Sequence, residues 1–200
     1  LNPFNLIAAV DSKGGVGRDQ TLPWKLRQDM AFFRAVTTQG LHGVGAFVPA
    51  FRVEPVGDAP PRDTQNAVIM GRKTWLSLPE KHRPLAARQN IILSRNPSAL
   101  SGIPTCASLE IALCLHEVQI APEVFVIGGA SVFAEAILHP LCHRVILTQI
   151  EGDFGCDVFF PAMPERFHCM TTSAWDSAFA MSTDAKPIRF RFEIWSTQAS

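Results

Sequence analysis

Asn5-Leu6-Ile7-Ala8-Ala9-Val10, closed by Asp11-Ser12-Lys13-Gly14-Gly15, is the stretch on which the fold turns. After Asn5 the run has no polar alternation, so both faces of the strand must be covered, as in a parallel sheet. A glycine-rich loop over 11–23 follows and ends in Thr21-Leu22-Pro23; a helix is predicted over Trp24–Thr38. The same rhythm returns downstream. Strands are predicted at Ala67–Met70, Asn90–Ser94, Val124–Ile127 and Arg144–Ile150. Helical stretches are expected from Arg72, after Ser108 as N-cap, and over Ala130–Leu138 up to Pro140. Alternation of this kind implies an α/β architecture, with ligands at the carboxyl ends of the strands.

The last part of the chain breaks the rhythm. Residues 167–173 and Ile188–Trp195 read as strands with no helix between them, so they should pair antiparallel at one edge. Phe190, Phe192 and Ile194 alternate with Arg189, Arg191 and Glu193, the half-wet pattern of an edge or hairpin strand. The expectation is one α/β domain over 1–200: a mostly parallel central sheet flanked by helices, with an antiparallel C-terminal hairpin edge. Residues 39–66 are rich in Gly and Pro without a sustained period, and read as a surface insertion with Val44–Phe51 as a candidate pairing segment.

Composition narrows the function classes. Lys plus Arg and Asp plus Glu number 18 each, so no overall field favours nucleic acid or a membrane surface. No apolar run approaches the roughly 18 residues of a membrane span. The N-terminus lacks a basic n-region, so no signal peptide is expected, and Leu1 suggests a processed start. The five cysteines are odd in number and contain no C-x-x-C pair; free, mostly buried thiols in a reducing compartment are expected. A soluble, cytoplasmic protein is the expectation, with mitochondrion or nucleus as alternatives.

Candidate chemistry begins in the predicted first helix. Leu26, Met30 and Phe33 recur at i, i+4 and i+7, and Asp29 falls within that stripe. A carboxylate buried there must be hydrogen-bonded or take up a proton. The alternative is an acid that merely favours the positive end of the helix dipole. Arg72-Lys73-Thr74 places two cations and a hydroxyl at a helix start, where an anion would relieve an unfavourable field unless both cations turn to solvent. Arg95, directly after Ser94, offers a second anchor, and two phosphate-sized sites along one sheet edge suggest a phosphorylated dinucleotide. Gly14-Gly15-Val16-Gly17 approaches a phosphate-binding loop, but Arg18-Asp19 stand where Lys and a hydroxyl are needed. The histidines are scattered: His139 and His143 have Pro140 between them, so no metal site is expected.

Several stretches in this order resemble dihydrofolate reductase. They are Leu22-Pro23-Trp24 with Asp29 and Phe33, Val68-Ile69-Met70-Gly71-Arg72-Lys73-Thr74-Trp75, and Ile127-Gly128-Gly129-Ala130. Arg83-Pro84-Leu85 with Arg88, Leu93-Ser94-Arg95, and Asp157-Val158-Phe159-Phe160-Pro161 extend the likeness to nearly the whole chain outside 39–66. The flavour is that of a lower-eukaryotic, fungal form.

The resemblance implies reduction of dihydrofolate to tetrahydrofolate with NADPH, in support of one-carbon and thymidylate metabolism. It implies a monomer that binds antifolates and neither nucleic acid nor membrane. Asp29 would hold the pterin and promote protonation at N5 through a water near Trp24, with Thr148 steadying it and Leu22 on the closing loop. Ile7 and Ile127 would offer carbonyls to the pterin edge beside Ala8, and Phe33 would stack on the ring. Met30, Ser77, Leu78, Leu85 and Phe133 would complete the substrate wall, and Arg88 would grip a carboxylate of the tail. The cofactor would meet Ala9, Val16, Gly17, Gly71, Arg72, Lys73, Thr74, Leu93, Ser94 and Arg95. Gly128 and Gly129, often joined by a cis peptide in the family, would pass beside the nicotinamide with Ala130, Ser131 and Val132. Two departures stand out: Phe133 replaces a frequent Tyr in a chain without any Tyr, and Met30 replaces a frequent Phe.

Overall fold

The computed structural model describes residues 1–51, 64–96, 102–178 and 187–197. Among them a nine-stranded sheet runs in the order β10-β11-β7-β1-β6-β3-β4-β5, with β9 also paired to β11. Its strands are β1 (Phe4–Val10), β3 (Ala67–Gly71), β4 (Gln89–Leu93), β5 (Thr105–Cys106), β6 (Val124–Val126), β7 (Cys142–Ile150), β9 (His168–Thr172), β10 (Asp176–Ala178) and β11 (Ile188–Ser196). Every pairing from β7 through β5 is parallel; β11 runs antiparallel to β7, β9 and β10. The mostly parallel sheet with an antiparallel C-terminal part is therefore as the sequence implies. β1 lies in its middle and packs apolar side chains to both faces: Phe4, Leu6 and Val10 on one, Ile7 on the other.

Three local expectations need correction. The first helix, α1 (Arg27–Gln39), begins three residues later than predicted, with Leu26 in extended conformation as its N-cap. Its buried face is Asp29, Phe32, Val36 and Thr37, whereas Met30 is 52% exposed. Met30 and Phe33 lie within α1, but Leu26 does not, and the side turned to the core is centred on Asp29, Phe32 and Val36 rather than on the stripe drawn from Leu26. Second, Gly40–Ala46 is not a surface excursion but a 3-10 helix that sends Leu41 and Val44 into the core, with Val48 following. The candidate pairing segment at Val44–Phe51 forms no strand, and the rest of that stretch up to 63 lies outside the described residues. Third, of the edge and hairpin readings of the last strand the hairpin holds, since β11 pairs antiparallel with β10, but β11 is not itself at the edge. It is inserted between β7 and the β9–β10 side, so Glu193 is buried, held by Arg191 Nε and Nη2 at 2.8 and 2.6 Å and by Trp195 Nε1 at 3.1 Å.

The remaining helices are short: α2 (Arg72–Ser77), α3 (Leu109–Leu113), α4 (His116–Gln119) and α5 (Ala130–Ala136). Ser108 caps α3 as expected, its Oγ accepting the Ile111 N–H at 3.3 Å; α3 ends at Leu113 and α4 starts at His116. A two-stranded sheet pairs β2 (Gly15–Gly17), inside the glycine-rich loop, with β8 (Val158–Phe159). Of the five cysteines, all free, only Cys106 and Cys142 are buried, fewer than expected. No helix among the described residues is long and apolar enough to cross a membrane.

Candidate active site

The cleft is set by where two strands part. Register between β1 and β6 ends at Leu6 opposite Val126, while β1 stays paired with β7 as far as Val10 opposite Gln149. Beyond that point Ile7–Ala9 and Ile127–Gly129 diverge at the carboxyl ends of neighbouring parallel strands, the place where such sheets bind ligands. The sequence reading put Ile7, Ala8, Ala9, Ile127, Gly128 and Gly129 on this site, and the fold brings them together.

Asp29 stands over this opening from the first turn of α1. It is 9% exposed and shares a hydrogen bond with Thr148 of β7, the residue registered opposite Ala9. Burial pushes its carboxyl up to about 6, with the Thr148 hydroxyl pulling in the other direction. Desolvation therefore outweighs both the hydroxyl and the nearby helix dipole. The result is an acid that changes protonation close to neutrality.

Trp24 precedes the helix, buried, with its ring edge-on to Phe154 at 5.3 Å between centroids. Among the described residues its indole N–H has no hydrogen-bond partner. A buried donor of that kind is rare in a finished core and is the sort of group a ligand or bridging water satisfies. Phe33 is half-buried, and Leu22, Met30 and Ser77 are exposed; the Ser77 hydroxyl donates to the Thr74 carbonyl at 2.7 Å.

Arg88 is 9% exposed and lies 5.9 Å over the Phe33 ring. Its Nε donates to the Ala86 carbonyl at 2.9 Å and its Nη1 to Thr37 Oγ1 at 2.8 Å. Burial first, then the charge of Arg34, lowers its pKa, and among the described residues no carboxylate pairs with it. A buried cation without a counter-ion is a waiting anion site. Asn90 frames it: Oδ1 accepts the Leu85 N–H at 2.9 Å, and Nδ2 donates to the Leu85 and Arg88 carbonyls, both at 2.9 Å. Thr37 and Asn90 were missed in the sequence. Thr37 could have been found, since Asp29, Phe33 and Thr37 repeat every four residues on one helix face.

On the other side of β6, the Gly71 N–H donates to the Gly128 carbonyl at 2.7 Å, so the starts of α2 and α5 meet. The Gly128–Gly129 peptide is cis, as the resemblance implies. Gly128 has φ +127°, where L side chains are rarely found, and a Cβ added at Gly129 would sit 3.1 Å from Thr74 Oγ1. Backbone amides at two helix starts, a hydroxyl and this narrow glycine turn make a cradle suited to a phosphate-bearing nucleotide. Arg72, Lys73 and Arg95 stand exposed around it, without an ion pair among the described residues. Ser94 is less available than expected: its hydroxyl donates to the Asn96 carbonyl at 3.1 Å and accepts the Asn96 N–H at 3.2 Å. Leu93 and Val132 are buried, Ala130 is half-buried and Ser131 exposed; Phe133 packs on Phe160 at 5.0 Å. Leu78 is half-buried, Leu85 buried, and Val16 and Gly17 lie in β2.

Comparison with known proteins points the same way. A family model described as dihydrofolate reductase matches residues 3–45 and 62–196, leaving out 46–61 within the expected insertion. The chain is similar to the dihydrofolate reductase of Aedes albopictus, 38% identical over 174 residues, 84% of this chain and 83% of that protein. For the Drosophila melanogaster enzyme of that name the figures are 36% over 168 residues, 82% of each chain. For that of Pneumocystis carinii they are 39% over 168 residues, 79% of this chain and 73% of that protein. Insect and Pneumocystis sequences match about equally well.

Proposed function

The chain belongs to the dihydrofolate reductase family, an oxidoreductase reducing dihydrofolate to tetrahydrofolate, and from that premise we propose that Asp29 is its catalytic acid, Arg88 its tail clamp and the Gly128–Gly129 cradle its NADPH site. When bound, NADPH supplies the hydride. Arg72, Lys73, Thr74 and Arg95 hold its phosphates; Gly71, Gly128, Gly129 and the first turn of α5 receive the rest. The protein's own work is placement, exclusion of water and proton supply.

Asp29 pairs with the 2-amino group and N3 of the pterin and draws a proton toward N5, with the free Trp24 N–H holding the water that carries it. Thr148 keeps the acid pointed at the cleft. Ile7 and Ile127 offer carbonyls to the pterin edge. Phe33 stacks on the ring, and Leu22, Met30, Ser77, Leu78, Leu85 and Phe133 line the rest. Arg88, anchored by Thr37 and Ala86, turns its remaining N–H groups to the tail carboxylate. The family likeness supports a monomer acting in the cytoplasm.

The observation that carries this reading is Asp29 itself: buried, bonded to Thr148, with its carboxyl at about 6. The test follows NADPH loss with and without dihydrofolate in wild type and Asp29→Asn. The variant should fold and lose at least about a hundredfold in hydride transfer at neutral pH, the usual scale for a positioned acid. Near-wild-type turnover would refute the role.

A further inference from the structure

Asp11 is 1% exposed at the end of β1, and nothing in the proposed reaction uses it. Its Oδ1 accepts the Lys13 and Gly15 N–H groups at 2.9 and 2.8 Å, and its Oδ2 accepts the Phe154 N–H at 3.2 Å. The Cys156 thiol donates to the same carboxylate. The Lys13 ammonium meets Asp153 at 2.7 Å in solvent and feels Asp11 less than it feels Asp153. Burial alone would push the Asp11 carboxyl up, but the amides of Gly15, Phe154 and Lys13, with the Cys156 thiol, outweigh it and hold the group below its ordinary value. Asp11 is thus a buried anion fed by donors from two separate segments, the start of the 11–23 loop and the turn at 154–156.

The second segment reaches the catalytic centre. Phe154, whose N–H is held by Asp11, is the ring packed edge-on against Trp24. The segments are tied elsewhere too: β2 pairs with β8, Asp157 N–H donates to the Gly17 carbonyl at 3.0 Å, and Ser12 N–H to the Gly152 carbonyl at 3.0 Å. Among the described residues, the one other hydrogen bond to Phe154 itself comes from the exposed Arg18 Nη1, which donates to its carbonyl at 3.4 Å. At the surface Lys13 pairs with Asp153. Exposed ion pairs of that kind contribute little. The tip of the loop has its own tie, Asp19 N–H donating to Asp157 Oδ2 at 3.1 Å.

We propose that Asp11 is a positioning residue for the reduction: by joining the loop to the 154–156 turn it fixes Phe154, and through Phe154 the orientation of the Trp24 indole. Asparagine at this position keeps the shape but not the acceptors. One carbonyl oxygen can still serve Lys13 and Gly15, while the amide nitrogen then faces the Phe154 N–H, donor against donor. Phe154→Leu removes the ring from Trp24 while leaving the Asp11 carboxylate intact. Asp153→Asn removes the exposed ion pair with Lys13, while the asparagine oxygen can still accept the Gly155 N–H that Asp153 Oδ1 accepts at 2.9 Å.

The inference rests on the reductase reading above, and one set of measurements separates the two. The kcat, the KM for dihydrofolate and the pH profile of kcat are measured for wild type and the three variants, with thermal melts to establish folding. Asp11→Asn and Phe154→Leu should each lower kcat about tenfold and displace the pH profile, with KM within about threefold, because a misplaced proton-handling group affects the chemical step more than binding. Asp153→Asn should stay within about twofold of wild type, as an exposed pair does little. A folded Asp11→Asn with wild-type kcat and pH profile overturns the proposal. If Asp11→Asn does not fold, Phe154→Leu decides: wild-type kcat there overturns it, and the tenfold loss supports it. An inactive wild type would sink the reductase reading instead.

Discussion

At the residue scale, the acid proposed to serve the chemistry should weaken the fold. The Asp29 carboxyl sits at about 6 in the folded chain against 3.8 in the open one, so folding favours its protonated form. Stability from this group is complete below the unfolded value, fades as pH rises to the folded value, and is then flat. The size is roughly 3 kcal/mol, from about 1.4 kcal/mol for each tenfold change in proton affinity. Asp29→Asn is therefore expected to raise urea-unfolding stability by up to about that amount above pH 6 and to change little near pH 4. An equal effect at both ends would mean the carboxyl is not held away from water. Arg88 gives the converse case. Arg88→Lys keeps a charge but loses the planar fork, so KM for dihydrofolate should rise about tenfold with kcat nearly unchanged, while a pterin lacking the carboxylate tail should be unaffected. Asp29 was legible in the sequence because it is a charged side chain within an apolar stripe, whereas Arg88 was placed by the resemblance alone. Of Arg88's partners, Thr37 shares the helix face of Asp29 and Phe33 and could have been found, but Asn90 could not, because an amide that bonds backbone looks like any other polar residue until the chain is folded.

At the scale of elements, strands survived the passage from sequence to structure better than helices did. Four apolar runs became β1, β3, β4 and β6 with shifts of a residue or so, because burial on both faces leaves an unbroken signature. α1 was displaced because Pro23-Trp24 is apolar and follows a loop, so periodicity alone could not tell helix from the extended entry at Leu26. The 3-10 helix over Gly40–Ala46 was hidden by its glycines. Leu41, Val44 and Val48 do repeat at helical spacing, but the glycines that suggested a loop serve close packing: a Cβ at Gly43 would collide with the Ala35 carbonyl of α1. If this segment belongs to the core, Leu41→Ala should cost about 2–5 kcal/mol, the range for truncating a buried leucine. Equilibrium denaturation would check it, and a loss below about 0.5 kcal/mol, typical of surface sites, would return the segment to the exterior.

Across the whole molecule, the parallel part of the sheet could be anticipated from alternating strands and helices, but the place of the last strand could not. β11 pairs with β7 on one side and with β9 and β10 on the other, a choice made by long-range packing. Part of that packing is visible as a stack: Phe192 of β11 lies 4.0 Å from Phe32 of α1 at 24° between planes, with Phe47 set edge-on to both. Phe192 is also registered opposite Thr148, the residue bonded to Asp29. The C-terminal strand thus supports from beneath the helix that carries Asp29 and the threonine bonded to it. Phe192→Ala should destabilise the protein by about 3–5 kcal/mol, as for other buried aromatic truncations. Combined with Phe32→Ala in a double-mutant cycle, it should show a coupling of about 0.5–1.5 kcal/mol from ring geometry beyond area buried. A vanishing coupling in urea denaturation would mean the rings are merely adjacent, and that α1 is held in place by its other neighbours.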